Sequence, residues 1–351
     1  MQDKENLNLE EIRLKGFINP VEDIEELEPV IIQHSEDKEI VVSTLGNFSM
    51  VIGKAKSRKS FLMAMLISVC GVEYKLFNFT NNLPKTKSHL IYFDTEQGRR
   101  HVQLLTKRIC RLLNVSEPDF LKVYPLRKYT PSQRLQIVEH ILYNTALPGV
   151  VVIDGIRDLI TSINDEEQAT MISTKLMKWS EELNIHIYVV LHQNKSDNNA
   201  RGHAGTELLN KAETVLSVTK SERDKNVSVV EVVSSRNIEP NPFAFEIIDG
   251  LPALIDNYII TDTKKSKKLE VDSIEDHKYY SILNSILSKN KSVKYGELVR
   301  SVKIELKTVH NISIGDNKSK DIISYCKSKG WIFQEKEKGP YVLGEYKNVS
   351  V

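Results

Sequence analysis

The sequence predicts an α/β fold: a mostly parallel sheet flanked by helices, followed by a small second domain of three helices and a β-hairpin. Three observations carry that expectation. Between about residues 39 and 255, short runs of nearly continuous Val and Ile alternate with helix-period stretches. Residues 261–276, TDTKKSKKLEVDSIED, are polar, charged and poor in aromatics, which reads as a linker. Beyond them the pattern changes to three short helical periods and two β-like runs. An exposed helix within a single domain is the alternative for the linker.

The elements follow in order. Residues 1–38 form an acidic N-terminal segment. The strand candidates are EIVVST (39–44), FSMVIG (48–53), SHLIYFD (88–94), GVVVID (149–154), IHIYVVLH (185–192) and NVSVVEVVS (226–234). They lack polar alternation, as strands buried on both faces do. Between them, helices are expected over Lys59–Cys70, Gly98–Leu113, Ser132–Asn144 and Glu166–Leu183. These elements make one domain over 39–260. In the tail, His277–Ser288 places Tyr280, Leu283, Ile286 and Leu287 at helical spacing. Lys294–Val302 and Lys318–Lys329 are the next helices, the latter with Ile322, Ile323 and Tyr325 inward. Two β-like runs around Gly339-Pro340 complete residues 277–346. Three helices and then a hairpin is the order of a winged helix.

Composition narrows the function. The 351 residues suit about two domains. A net charge of +1 excludes a globally basic polyanion binder and an acidic tail protein, although an acidic head faces a basic tail. No apolar stretch reaches 18 residues, so no membrane partner is expected. Cys70, Cys110 and Cys326 are scattered and lack CxxC spacing, and a reducing cytoplasm is the expected location.

The strongest chemical signal is Gly53-Lys54-Ala55-Lys56-Ser57-Arg58-Lys59-Ser60, between a predicted strand and a predicted helix. A P-loop needs that context, because backbone N–H groups and a helix N-terminus surround the phosphates. Lys59 occupies the place that reaches the β- and γ-phosphates, and Ser60 the place that ligates magnesium. Arg58 departs from the pattern by replacing the second glycine. Its guanidinium either turns to phosphate or projects to solvent.

Other strand ends supply the rest. Asp154 ends an apolar strand in the manner of a Walker B carboxylate that orders the metal shell. Asp94 and Glu96 end another, and a carboxylate there serves either as general base or as a cap on the helix that follows. His192 ends a fourth, as a phosphate sensor or a structural histidine. Arg236 follows the last run, and a surface arginine paired with a carboxylate is one reading of it. Asp158 reads as a local cap, and Arg201 as a solvated loop residue or a contact to nucleotide or nucleic acid.

Lys59, Glu96, Asp154, His192 and Arg236, in that order, resemble the RecA-like ATPase core and within it the RepA-like hexameric helicase branch. The likeness spans about residues 30–255 and includes RGHAGTELLNKAETVLSV (Arg201–Val218). It implies that Glu96 activates water, that His192 senses phosphate, and that Arg236 enters a neighbouring subunit's site. It also implies ATP with Mg2+, a homo-oligomer with active sites between subunits, hexameric in that branch, and plasmid or mobile-element replication. An ATP-gated DNA-binding regulator and a non-hydrolysing scaffold are the rival expectations. In the tail, Lys318, Lys320, Lys327, Lys336 and Lys338 are expected to contact DNA phosphates, and protein contacts are the alternative.

Overall fold

Strands whose two faces are both apolar must be covered on both sides, and that requirement sets the architecture. A computed structural model describes residues 8–35, 38–146, 148–193, 202–221, 224–255, 258, 276–289, 292–310, 314–336 and 339–346. The chain packs as two compact units, Met1–Ile259 and Ile260–Val351. The expected linker lies outside the described residues, apart from Asp276.

The first unit opens with helix α1 (Leu9–Lys15) and strands β1 (Pro29–His34), β2 (Glu39–Thr44) and β3 (Phe48–Gly53). Helix α2 (Lys59–Cys70), β4 (Phe79–Asn81), β5 (His89–Asp94) and α3 (Arg99–Leu113) follow. Next come β6 (Leu121–Pro125), α4 (Pro131–Asn144), β7 (Pro148–Asp154), α5 (Glu166–Glu182) and β8 (His186–His192). Helix α6 (Gly202–Lys211), β9 (Thr214–Lys220), β10 (Val227–Ser235), β11 (Phe243–Ile248) and β12 (Leu251–Ile255) complete it. Nine strands form one sheet in the order β12-β11-β10-β9-β3-β8-β7-β5-β6. From β9 to β6 all neighbours run parallel, whereas β10, β11 and β12 are antiparallel additions.

Two buried layers account for the unbroken apolar runs. Val51, Tyr92, Val152 and Tyr188 pack with α2 and α3 on one face. Met50, Phe93, Ile153 and Val189 pack with α4, α5 and α6 on the other, around fully buried Trp179. This is the RecA-like α/β arrangement that the sequence implies. The four expected helices form within one or two residues of their predicted ends. A capping box, Thr130 with Gln133, starts α4, and Asp165 caps α5.

Two expectations need correction. The boundary at residue 39 falls inside an antiparallel β1–β2 pair, so the domain begins within the acidic segment. Strand β2 belongs to a separate three-stranded sheet, β2-β1-β4, rather than to the large one. The reason lies in α2, which is buried on every side from Leu62 to Cys70. Its outer side needs a cover, and Val30, Ile31, Val42 and Phe79 of the small sheet supply it.

The second unit contains α7 (Asp276–Lys289), α8 (Tyr295–His310), α9 (Asp316–Ser328) and the hairpin β13 (Ile332–Gln334) and β14 (Tyr341–Leu343). An isolated bridge from Val293 to Tyr341 ties the start of α8 to the hairpin. Helix α8 is longer than expected, because Leu306 still faces the core. On α7 it is Tyr279 and Ile282 that join Leu283 and Ile286 in the core. Tyr280 is half-buried and donates its hydroxyl to the Gly344 carbonyl at 2.9 Å. Among the described residues no helix is long and apolar enough to cross a membrane.

Fully buried His186 carries a pH-dependent part of the stability. Its Nδ1 lies 2.7 Å from the Thr44 carbonyl oxygen, and burial lowers its pKa from 6.5 to about 4. The unfolded chain therefore takes up a proton first as pH falls, and stability drains away between about pH 6.5 and 4. Glu213, whose Oε2 is 3.8 Å away, is pushed upward by burial and works in the opposite sense. A shift of this size corresponds to about 3 kcal/mol at most. Urea melts at stepped pH should show a flatter acid limb for His186→Gln than for the wild type; identical limbs would rule His186 out.

Candidate active site

The parallel order places four strand ends side by side. In register, Gly53 of β3 lies beside His192 of β8, and Asp154 of β7 beside Asp94 of β5. Ligands of parallel sheets bind at this C-terminal edge. Two glycines shape it. A Cβ on Gly53 would lie 2.5 Å from both Ser57 Oγ and the Val218 carbonyl oxygen, so the loop can fold back only on glycine. Gly155 has φ +96°, and a Cβ there would meet Thr95 Oγ1 at 2.1 Å. The loop itself is closed by the Ser57 N–H donating to the Lys54 carbonyl at 3.1 Å.

Lys59 is the centre of the site and only 7% exposed. Its ammonium donates to the carbonyls of Gly53 at 2.8 Å and Lys54 at 3.1 Å. It also lies 3.2 Å from His192 Nδ1. An ammonium can only donate, so Nδ1 accepts and the imidazole proton sits on Nε2. That nitrogen points at Glu96 Oε2, 3.3 Å away. A single chain of contacts thus joins Lys59, His192 and Glu96. Burial lowers the Lys59 pKa, while the Asp154 and Glu96 carboxylates counteract it. The hydrogen bond from His192 holds Glu96 below the usual carboxylate range, so it is ionised at neutral pH.

Asp154 and Asp94 have different duties. Burial raises the Asp154 carboxyl to about 6, against a hydrogen bond from the Tyr92 hydroxyl at 2.5 Å. Asp94 Oδ1 accepts from the backbone N–H groups of Glu96 at 3.0 Å and Gln97 at 2.7 Å. The capping duty at this strand end therefore falls to Asp94, which frees Glu96 to reach His192. Asp158 is a local support, accepting from Thr95 Oγ1 at 3.0 Å beside Arg134. Tyr92 and Thr95 escaped the sequence reading. A tyrosine two residues before a strand-end aspartate is the only signal that Tyr92 offers.

Arg58 does neither of the two things expected of it. Its backbone is left-handed, φ +76°, at the N-cap of α2. Its guanidinium donates to the carbonyls of Asn226 at 2.6 Å and Lys225 at 2.8 Å, in the turn before β10. It also meets Ser228 Oγ at 3.3 Å. A non-glycine residue in this region costs roughly 1–2 kcal/mol, and charge-assisted hydrogen bonds of this kind offset it.

Other candidates stand apart. Because β10 runs antiparallel to β9, Arg236 emerges beside Thr214, at the sheet edge opposite Gly53. It is exposed and donates to the Lys211 carbonyl at 2.9 Å. Lys318, Lys320, Lys327 and Lys336 belong to the second unit, and Arg201 and Lys338 lie outside the described residues.

A loop that opens on Gly53 and holds a buried lysine, beside strand-end carboxylates on a RecA-like sheet, defines a P-loop ATPase domain. In agreement, residues 38–198 match the family model of the AAA domain, a span that includes Lys59, Glu96, Asp154 and His192. No curated protein matches the chain.

The geometry makes two expectations measurable. Arg58→Gly should leave kcat within about twofold and weaken ATP binding about fivefold, the equivalent of about 1 kcal/mol of lost pre-organisation. A fall in kcat at unchanged affinity would instead return the guanidinium to the phosphates. Glu96→Gln should retain bound ATP but slow hydrolysis by about 10²–10⁴-fold in single-turnover assays, and a full rate would exclude it as the base.

Proposed function

We propose that this chain is an ATP-hydrolysing motor acting on DNA, assembled so that one subunit completes the site of the next. ATP as substrate fits the loop: a buried ammonium at the N-terminus of α2, beside strand-end carboxylates that can order a metal, suits phosphate oxygens. Ser57 Oγ and Asp94 Oδ2 are buried there without hydrogen-bond partners among the described residues. Ser60 and Asp154 would hold Mg2+, which supplies charge neutralisation on the phosphates when bound.

The chain's own groups account for the chemistry. Lys59 binds the β- and γ-phosphate oxygens. Ionised Glu96 takes a proton from the attacking water as its oxygen bonds to the γ-phosphorus and the bond to the β-phosphate oxygen breaks. His192, in contact with both Lys59 and Glu96, relays a change at the phosphates to the base.

The observation that carries the assembly is the place of Arg236. It is exposed at the opposite sheet edge from its own P-loop, and an arginine there can stabilise transition-state charge only in another copy. The DNA reading is supported by the second unit, read as a winged helix. A groove of about 640 Å³ between α9 and the hairpin is lined by Lys294, Lys320 and Lys327, with no carboxylate among the described residues of its wall. Lys294, missed from sequence, is drawn in by the Val293–Tyr341 bridge. The RepA-like likeness points to the helicases of plasmids and mobile elements.

Subunit mixing tests the reading. Lys59→Ala and Arg236→Ala should each be inactive alone, and their mixture should recover part of the ATPase activity. No recovery would remove Arg236 from the neighbouring site. In the wild type, strand separation on a forked duplex is expected; ATP-dependent DNA binding without separation would replace the motor by a switch.

A further inference from the structure

Between residues 9 and 27, eight large apolar side chains are more than half exposed, from Ile12 at 53% to Val21 at 86%. The other exposed apolar residues are scattered along the described chain. Leu9 and Ile12 lie on α1, and Phe17, Ile18, Val21 and Ile24 on the irregular stretch that follows. Exposed apolar surface on this scale marks an interaction site. Acidic residues are interleaved with it: Glu22, Asp23, Glu25, Glu26 and Glu28. The matching surface must therefore be apolar at its centre and basic around it.

Helix α3 of the same unit has such a face. Arg100, Leu104, Lys107 and Arg111 are all exposed and recur at spacings that align them in one stripe. Leu104 is 50% exposed at its middle. Arg99, Arg100 and Lys107 make no ion pair with a carboxylate among the described residues. The segment has the reach: eleven residues from Phe17 to Leu27 extend to about 36 Å, and the 15-residue α3 is about 22 Å long.

We propose that residues 9–28 of one copy of this chain dock along the outer face of α3 in a second copy. Donor and acceptor are different surfaces, so the contact runs head to tail, and it closes into a ring or continues as a filament. Helix α3 starts three residues after Glu96, so the neighbour's segment lies on the helix behind the catalytic carboxylate. The contact shares an assembly with the function proposed above but does not depend on Arg236.

Charge reversal tests it in the full-length protein. Glu22→Lys/Glu25→Lys/Glu26→Lys, and separately Arg99→Glu/Arg100→Glu/Lys107→Glu, should each shift the light-scattering mass toward the monomer. The dissociation constant should rise at least tenfold. Both sets combined in one chain should restore assembly. Phe17→Asp/Ile18→Asp should dissociate it with no loss of the thermal transition, because both side chains are exposed. A monomeric wild type, or single sets that leave the mass unchanged, would overturn the contact. So would an α3 variant that loses only DNA binding, which would make that face a polyanion surface. If Lys59→Ala and Arg236→Ala complement each other while every segment variant stays assembled, the proposed function stands and this interface falls.

Discussion

Everything at the sheet edge is organised around one buried ammonium. Lys59 cannot remain charged in an apolar interior without acceptors, and the protein supplies three: two loop carbonyls and an imidazole nitrogen. Satisfying the ammonium bends the loop back onto Gly53, which forces glycine there. It also sets the tautomer of His192, and that tautomer in turn directs a proton at Glu96. The strand order β3-β8-β7-β5 then determines which carboxylates can feel the charge. Loop shape, histidine orientation and base ionisation thus trace back to the same desolvated group.

The residues at parallel strand ends were legible because the sheet gathers such ends on one edge whatever the loops do. Lys59, Glu96, Asp154 and His192 all come together for that reason. Strand β1 was hidden by acidic surroundings and Pro29, and only the need to cover α2 reveals why Val30 and Ile31 are buried. Strand direction was hidden too. Nothing in NVSVVEVVS tells that it runs antiparallel, yet that sense alone sends Arg236 to the far edge. The division of labour between Asp94 and Glu96 depends on two backbone N–H groups, which spacing cannot locate.

The same edge shows how a fold spreads one task over distant stretches of chain. Thr95 holds the turn after β7 through its backbone N–H, which donates to the Asp154 carbonyl at 3.1 Å, and Tyr92 steadies Asp154 itself. Both lie on or beside the neighbouring strand rather than in a recognised motif. Substitutions there would act through the orientation of a carboxylate, without touching substrate.

The tether of Arg58 has a consequence for how the protein acquires its shape. A glycine at this position would let the loop adopt its left-handed turn from local preference alone. Here the turn is fastened to a carbonyl 168 residues away. A contact of such sequence separation carries a loop-closure cost that a local turn does not. The phosphate loop, which follows one of the earliest strands in the chain, therefore reaches its tethered conformation only once the turn before β10 lies beside it. A nascent chain that has not yet delivered β10 carries the loop without its tether.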